Sequence, residues 1–334
     1  GENGALLLEP QRVNAIQYSE YFEGWNLSGG TLTPNSTISP EGVQNAYLYT
    51  EDTSTNYHRF NTGASATNSN KVYTIYAKLA DGAVNKWLTI DNGPTAWFDL
   101  ENGVIGNAQG SVVIDIEPVE NGWYRCIYHN PASTNSGIYI GIAPSNGGGG
   151  NHTGSGQPAF YAYGAQCEDN VTYATSYIPN HGESGGVTRA ADSCSVTGVS
   201  DVMPTSYPFT LYAEMDVKAI GDEWGISFLN DAANNNYFVI GVNFQNKYGM
   251  ISRPSGSSSF IYSSVNATEG THKICGVFTS SELKLYVDGT LLDTETNSQS
   301  FNSSVDDILI GTLRSVGDTG IRNNVRQAMI FNEA

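Results

Sequence analysis

"KWLTIDNGPTAWFDL" occupies residues 86–100 and alternates twice. In the first run Leu88 and Ile90 take one face, and Trp87, Thr89 and Asp91 take the other. In the second, Phe98 and Leu100 form the apolar face, with Trp97 and Asp99 opposite. Successive side chains of an extended chain point to opposite faces, so a period of two with one apolar set marks a half-buried strand. Between the runs lies the turn-forming NGPT (92–95). A hairpin across it would put a Trp and an Asp from each strand on one non-core face, the two indoles as near cross-strand neighbours.

The pattern repeats on both sides of this stretch. "KVYTIYAKLA" (71–80), "GSVVIDIEPV" (110–119), "GWYRCIYHN" (122–130), "SGIYIGIAP" (136–144) and "PAFYAYGAQCE" (158–168) form one series. "PFTLYAEMDVKA" (208–219), "YFVIGVNF" (237–244), "GTHKICGVFT" (270–279) and "SELKLYVDGTLLDTET" (281–296) belong to a second. Short strands with turn punctuation and few helical stretches predict an all-β chain. At 334 residues it exceeds one ordinary core, so the fold expected is two tandem antiparallel β-sandwiches, or jelly rolls. Asp288-Gly289 between apolar runs is a strong hairpin signal.

The expected domains are residues 1–20, a lead-in strand around Leu6–Leu8 packing on the first sandwich; 21–180, the first sandwich; 181–198, a Gly- and Ser-rich linker; and 199–334, the second sandwich. The glycine-rich "SNGGGGNHTGSGQ" (145–157) lies between strong strands and reads as a long loop. The Leu6–Leu8 run is too short, and has the wrong flanks, for a secretory signal. No apolar stretch reaches the roughly 18 residues of a membrane span, so membrane insertion is not expected.

A formal net charge of −18, from 15 Lys and Arg against 33 Asp and Glu, opposes nucleic-acid binding, which needs clustered cations to neutralise phosphates. Cys126, Cys167, Cys194 and Cys275 show no metal-ligand spacing. Cys126 and Cys275 read as small buried hydrophobes, and the pair favoured should a disulfide form is Cys126 with Cys167.

Ordered phrases carry a resemblance. "LLLEPQRVN" near the start, "NGWYRCIYH" in the middle and "TSYIP…VTRAAD" at the close resemble a module of bacteriophage tail-fibre, head-fibre and other virion surface proteins. That module is similar to jelly-roll carbohydrate-binding modules, and the match covers about residues 4–198. Through "PFTLYAEMDV", "HKICGVF" and "LKLYVDGTLLD", residues 199–334 resemble a concanavalin A-like or laminin-G-like lectin sandwich. The resemblance implies a virion surface or extracellular location, glycans of host surface polysaccharide and other virion proteins as partners, a homotrimer, and adhesion without catalysis. A purely structural decoration and a glycan depolymerase stand as the alternatives, because such sandwiches serve several functions.

Sugar-binding surfaces stack pyranose faces on aromatic rings and read hydroxyls with polar side chains. The candidate glycan-binding residues are therefore Trp87, Trp97, Asp91 and Asp99 on the shared face, with Tyr57, His58 and Arg59 as a polar aromatic cluster lining a groove. The same face could instead be covered by other protein, since large aromatics also dominate interfaces. Trp25 and Trp123 follow or adjoin glycine at apolar strand edges and are expected in the core.

No catalytic residues are assigned. Glu214 and Asp216 share an outward strand face, but the third place is Lys218, and retaining hydrolysis needs two carboxyls about 5–5.5 Å apart. No cofactor is expected. Calcium has oxygen donors available in the loop residues Asp231, Asn234, Asn235, Asp306, Asp307 and Asp318, without an EF-hand pattern.

Overall fold

The computed structural model describes residues 6–133, 135–192, 194–217, 226–230, 236–243, 245–254, 256–301, 305–311 and 323–334. Among them the regular structure is β-strand with three short 3₁₀ turns, and no helix is long and apolar enough to cross a membrane. The chain divides into two compact units, one of Arg12–Arg189 and one that joins residues 6–11 to the described part of Ala190–Ala334.

The Arg12–Arg189 unit holds two six-stranded antiparallel sheets. One runs, edge to edge, Val104–Ala108, Thr95–Asp99, Trp87–Asp91, Gly137–Ala143, Arg59–Gly63 and Asn26–Ser28. The other runs Val113–Val119, Trp123–Asn130, Lys71–Leu79, Pro158–Asp169, Gln44–Glu51 and Gly30–Ile38. A single core joins Leu88, Ile90, Phe98, Ile138, Ile140, Ile142 and Phe60 of the first to Tyr73, Ile75, Cys126, Tyr128 and Phe160 of the second. Burying a large apolar side chain contributes roughly 1.5–3 kcal/mol, which is why alternation dictates which face turns inward. Trp25 and Trp123 are core, their indole N–H groups donating to the carbonyls of Tyr18 and Ile38.

The second unit is also a sandwich. Its six-stranded sheet runs Leu6–Leu8, Asn323–Phe331, Phe209–Val217, Gly270–Phe278, Glu282–Val287 and Thr290–Thr296, and a four-stranded sheet runs from Ile226–Asn230 to Ser259–Asn266. Phe209, Phe238 and Phe278 pack together at its centre. The Asp288-Gly289 turn has positive φ at both residues, 50° and 79°, as the tight hairpin between Val287 and Thr290 requires.

Two expectations about boundaries are corrected. Leu6–Leu8 does not pack on the first sandwich: it pairs with Asn323–Val325, on the edge of the C-terminal sheet. That sheet offers an unpaired strand edge, and Leu8 is buried against the space that Gly311 leaves by lacking a side chain. Nor is 181–198 a free linker. Val187–Arg189 pairs with Arg12–Asn14 in the first unit and Cys194–Val196 with Ile308–Ile310 in the second, so the passage between units is short.

All four cysteines are free thiols. Cys126 and Cys167 are fully buried, whereas Cys275, expected in the core, is only half-buried on the outer side of its sheet.

Candidate functional site

The register of the first sheet sets its outer face. Trp97 lies opposite Thr89, Asp99 opposite Trp87 and Thr95 opposite Asp91. On the other side of Trp87–Asp91, Tyr139 faces Asp91 and Gly141 faces Thr89. One strand further, Arg59 faces Gly141. These positions therefore project away from the core, and a groove of about 210 Å³ opens over Arg59, Thr89, Asp91, Thr95, Trp97 and Tyr139.

Five of the seven residues proposed from sequence line this groove: Tyr57, His58, Arg59, Asp91 and Trp97. Tyr57 is exposed. The Arg59 guanidinium is held between two tyrosine rings, its carbon 4.2 Å from the Tyr57 centroid and 4.1 Å from that of Tyr139. Each such stacking contributes roughly 0.5–2 kcal/mol and fixes the plane of the guanidinium. Among the described residues no carboxylate or carbonyl accepts a hydrogen bond from it. Asp91 is half-buried, with one carboxylate oxygen taking the Gly93 N–H at 2.8 Å and the other the Thr95 hydroxyl at 3.2 Å.

The indole platform does not form as expected. Trp97 is 2% exposed, and its Nε1 donates to the Gly148 carbonyl at 3.0 Å. The Gly147–Gly150 loop lies over the ring as a groove wall, leaving Trp97 a place in the lining without an open stacking face. Trp87 is half-buried outside the groove, against the backbone of Gly106, where a Cβ would come within 2.7 Å of the ring. Asp99 is also withdrawn. It is 3% exposed, bonded to Lys86 Nζ at 3.0 Å, and accepts the backbone N–H groups of Glu101 and Asn102. Burial pushes its carboxyl up, but the Asn102 amide, Lys86 and the two backbone donors outweigh it and hold the group below the usual carboxylate range.

His58 is 1% exposed and turns both ring nitrogens to backbone carbonyls: Nδ1 lies 2.5 Å from that of Gly29 and Nε2 3.1 Å from that of His152. The residue helps to line the groove, but its ring nitrogens face backbone and not the groove.

The sequence reading missed Tyr139, Gln109 and the Gly147–Gly150 backbone. Tyr139 was within reach, because Ile138, Ile140 and Ile142 fill the core face of its strand and leave it outward. The role of the glycine loop had no comparable local signal.

In the second unit, Tyr212, Cys275 and Tyr286 stand side by side across three strands and line a cavity of about 440 Å³. The nearby acids are engaged. The Tyr212 hydroxyl donates to Glu214 at 3.4 Å. Asp216 takes a two-point contact from Arg326, at 3.0 and 2.9 Å, and a hydrogen bond from Thr271. Lys218 lies outside the described residues, as do Asp231, Asn234, Asn235 and Asp318 of the calcium donors. Of the remaining two, Asp307 accepts the Gly198 N–H at 3.2 Å and Asp306 is half-buried.

Residues 188–334 match the family model of the concanavalin A-like lectin/glucanases superfamily. Over these residues the C-terminal unit, a β-sandwich, is similar to that superfamily. No curated protein matches the chain. Among solved structures, the chain is similar to the CBM40 of a Ruminococcus gnavus sialidase, at 10% identity and a TM-score of 0.35, covering 42% of this chain and 90% of that one. It is also similar to a heptameric SAP-like pentraxin from Limulus polyphemus (13%, TM-score 0.32, 40% and 67% covered). A third is the binding domain of botulinum neurotoxin serotype D/C (15%, TM-score 0.35, 43% and 38% covered).

Proposed function

We propose that this protein binds glycans, without catalysis, through the groove on the outer face of the first sandwich. The observation that carries this reading is Arg59, clamped flat between Tyr57 and Tyr139 with its donors unmatched, in a groove that Asp91 and Gln109 also line. A guanidinium offers five N–H donors in a fixed fork. Half-buried beside aromatic walls, those donors favour a ligand rich in oxygen acceptors and with apolar faces, which describes a saccharide.

The wider role we propose is adhesion of a phage virion surface protein to host or environmental polysaccharide. Sequence phrases shared with virion fibre modules support it, as does the lectin-like C-terminal unit. A homotrimer, implied by the same resemblance, would multiply weak single-site binding through effective concentration.

A glycan array probed with wild type, Arg59→Gln, Tyr139→Ala and Trp87→Ala tests the site. Binding by wild type and Trp87→Ala, with a loss of roughly tenfold or more in the other two, is expected from removal of a charged contact or its clamp. Equal binding by all four would move the site off this groove. No binding by wild type would leave the structural-decoration role.

A further inference from the structure

We infer that the first sandwich holds a zinc-class divalent cation at Glu51, His58 and His152, behind the wall of the groove. Glu51 ends the strand Gln44–Glu51, His58 directly precedes Arg59–Gly63, and His152 is the middle residue of Asn151–Thr153. Far apart in sequence, they bring one ligand atom each to within 4.8 Å of the other two. All are secluded: the Glu51 side chain is 0% and that of His152 10% exposed.

The outer contacts of both imidazoles fit metal ligation. Each turns Nδ1 to a backbone carbonyl, His58 to Gly29 at 2.5 Å and His152 to Gly150 at 3.2 Å. An Nδ1–H donated in this way sets the tautomer in which the Nε2 lone pair is available, the usual outer-shell arrangement of a ligating histidine, and metal binding selects that tautomer. Both Nε2 atoms then face oxygen, His152 towards Glu51 Oε1 at 2.7 Å and His58 towards the His152 carbonyl at 3.1 Å. With the protons on Nδ1 each Nε2 lone pair is set against an oxygen, a contact that a bound cation makes attractive; with the proton on Nε2, His152 instead donates to Glu51, and metal binding displaces that proton. The other Glu51 oxygen is oriented by the Ser155 hydroxyl at 2.5 Å and the Asn85 amide at 3.0 Å.

Two imidazole nitrogens and a carboxylate form a donor set suited to zinc, whereas calcium and magnesium select oxygen. Tetrahedral ligation at about 2.1 Å places ligand atoms about 3.4 Å apart, so from a spread of up to 4.8 Å binding requires a contraction of up to about 1.4 Å. Glycines permit the close backbone approach. A Cβ at Gly154 would stand 2.3 Å from His58 Cε1, and one at Gly29 2.8 Å from Nδ1. His152 also anchors Gly150, and His58 lies between Tyr57 and Arg59 in sequence. The ion therefore ties down the segments that carry the groove, whether or not the groove takes a sugar.

The test uses the full chain, stripped with chelator and titrated with zinc chloride by calorimetry, with retained metal measured by elemental mass spectrometry. We expect one zinc per chain, a higher Tm with zinc, and no response to calcium or magnesium. Glu51→Gln and His152→Asn should weaken zinc binding by roughly a hundredfold or more. Zinc binding of unchanged strength in both variants, or none in wild type, would overturn the assignment. Should the variants fail to fold, Co²⁺ added to wild type decides: intense visible d–d absorption without thiolate charge transfer supports the nitrogen and oxygen site, and a weak octahedral spectrum overturns it.

Discussion

Trp97 stands directly across from Thr89, while Trp87 faces Asp99 two pairs further along the same two strands. The indoles are thus diagonal, on one face but not opposed. The Gly148 carbonyl claims Trp97, whereas Trp87 turns towards Gly106. The face expected from alternation exists, but its recognition surface is centred on Arg59 and its two tyrosines.

Trp97 is accordingly expected to matter for stability. Trp97→Ala should destabilise by about 3–5 kcal/mol, as for other buried indoles. Trp97→Phe keeps most of the packing and loses the hydrogen bond to Gly148, for about 1 kcal/mol. Trp87→Ala should cost less than Trp97→Ala. Urea denaturation followed by far-ultraviolet circular dichroism checks the order, and a Trp97→Ala as stable as wild type would contradict it.

Asp99 should make stability depend on pH in the acid range. Its folded-state pKa lies below the unfolded value of about 3.9. The stability it contributes is therefore present above that value and lost as pH falls through the lower, folded one. Asp99→Asn should be less stable than wild type by about 1–2 kcal/mol at pH 7, and the gap should narrow progressively as pH falls below about 4. Melting curves from pH 7 down through the acid range measure this; a gap that stays constant to the lowest pH at which the chain folds would show that charge is not the cause.

In the second unit, the Arg326 contact makes Asp216 structural. Asp216→Asn keeps the shape but removes the charge on a 6% exposed group, and a loss of about 2 kcal/mol is expected. The same variant should leave glycan binding by the first sandwich unchanged. If instead it abolished release of reducing sugar from a host polysaccharide by the wild-type chain, the non-catalytic reading would fall.

Thiol chemistry should divide the cysteines into two pairs. Burial pushes the Cys167 thiol up to about 12, with that of Cys126 raised further. Neither presents thiolate at neutral pH, and both lie in the core. Ellman's reagent at pH 8 should label Cys194 first and Cys275 more slowly, with the other two reacting only in denaturant. Four fast thiols in the native chain would contradict the packing of the first core.

Much of the site's composition was legible in the sequence. Alternation placed Trp87, Asp91, Trp97 and Asp99 on one face, and the same rule applied to residues 136–144 reaches Tyr139. Exposure was not legible. Whether an outward indole is open or covered depends on the Gly147–Gly150 loop, whose path follows from tertiary contacts such as the Gly148 carbonyl to Trp97.

The sequence by itself determined the two sandwiches, the inward and outward sets along each strand, and the Asp288-Gly289 turn. These follow from the period of a single strand and from local backbone preferences, which act over a few residues. Only the tertiary structure decided which strands are neighbours. It joined Leu6–Leu8 to Asn323–Val325, set Arg59 beside Tyr139, and gathered Glu51, His58 and His152. Strand neighbours are chosen by closing the sheets over a shared core, a long-range competition for buried area that local alternation does not encode.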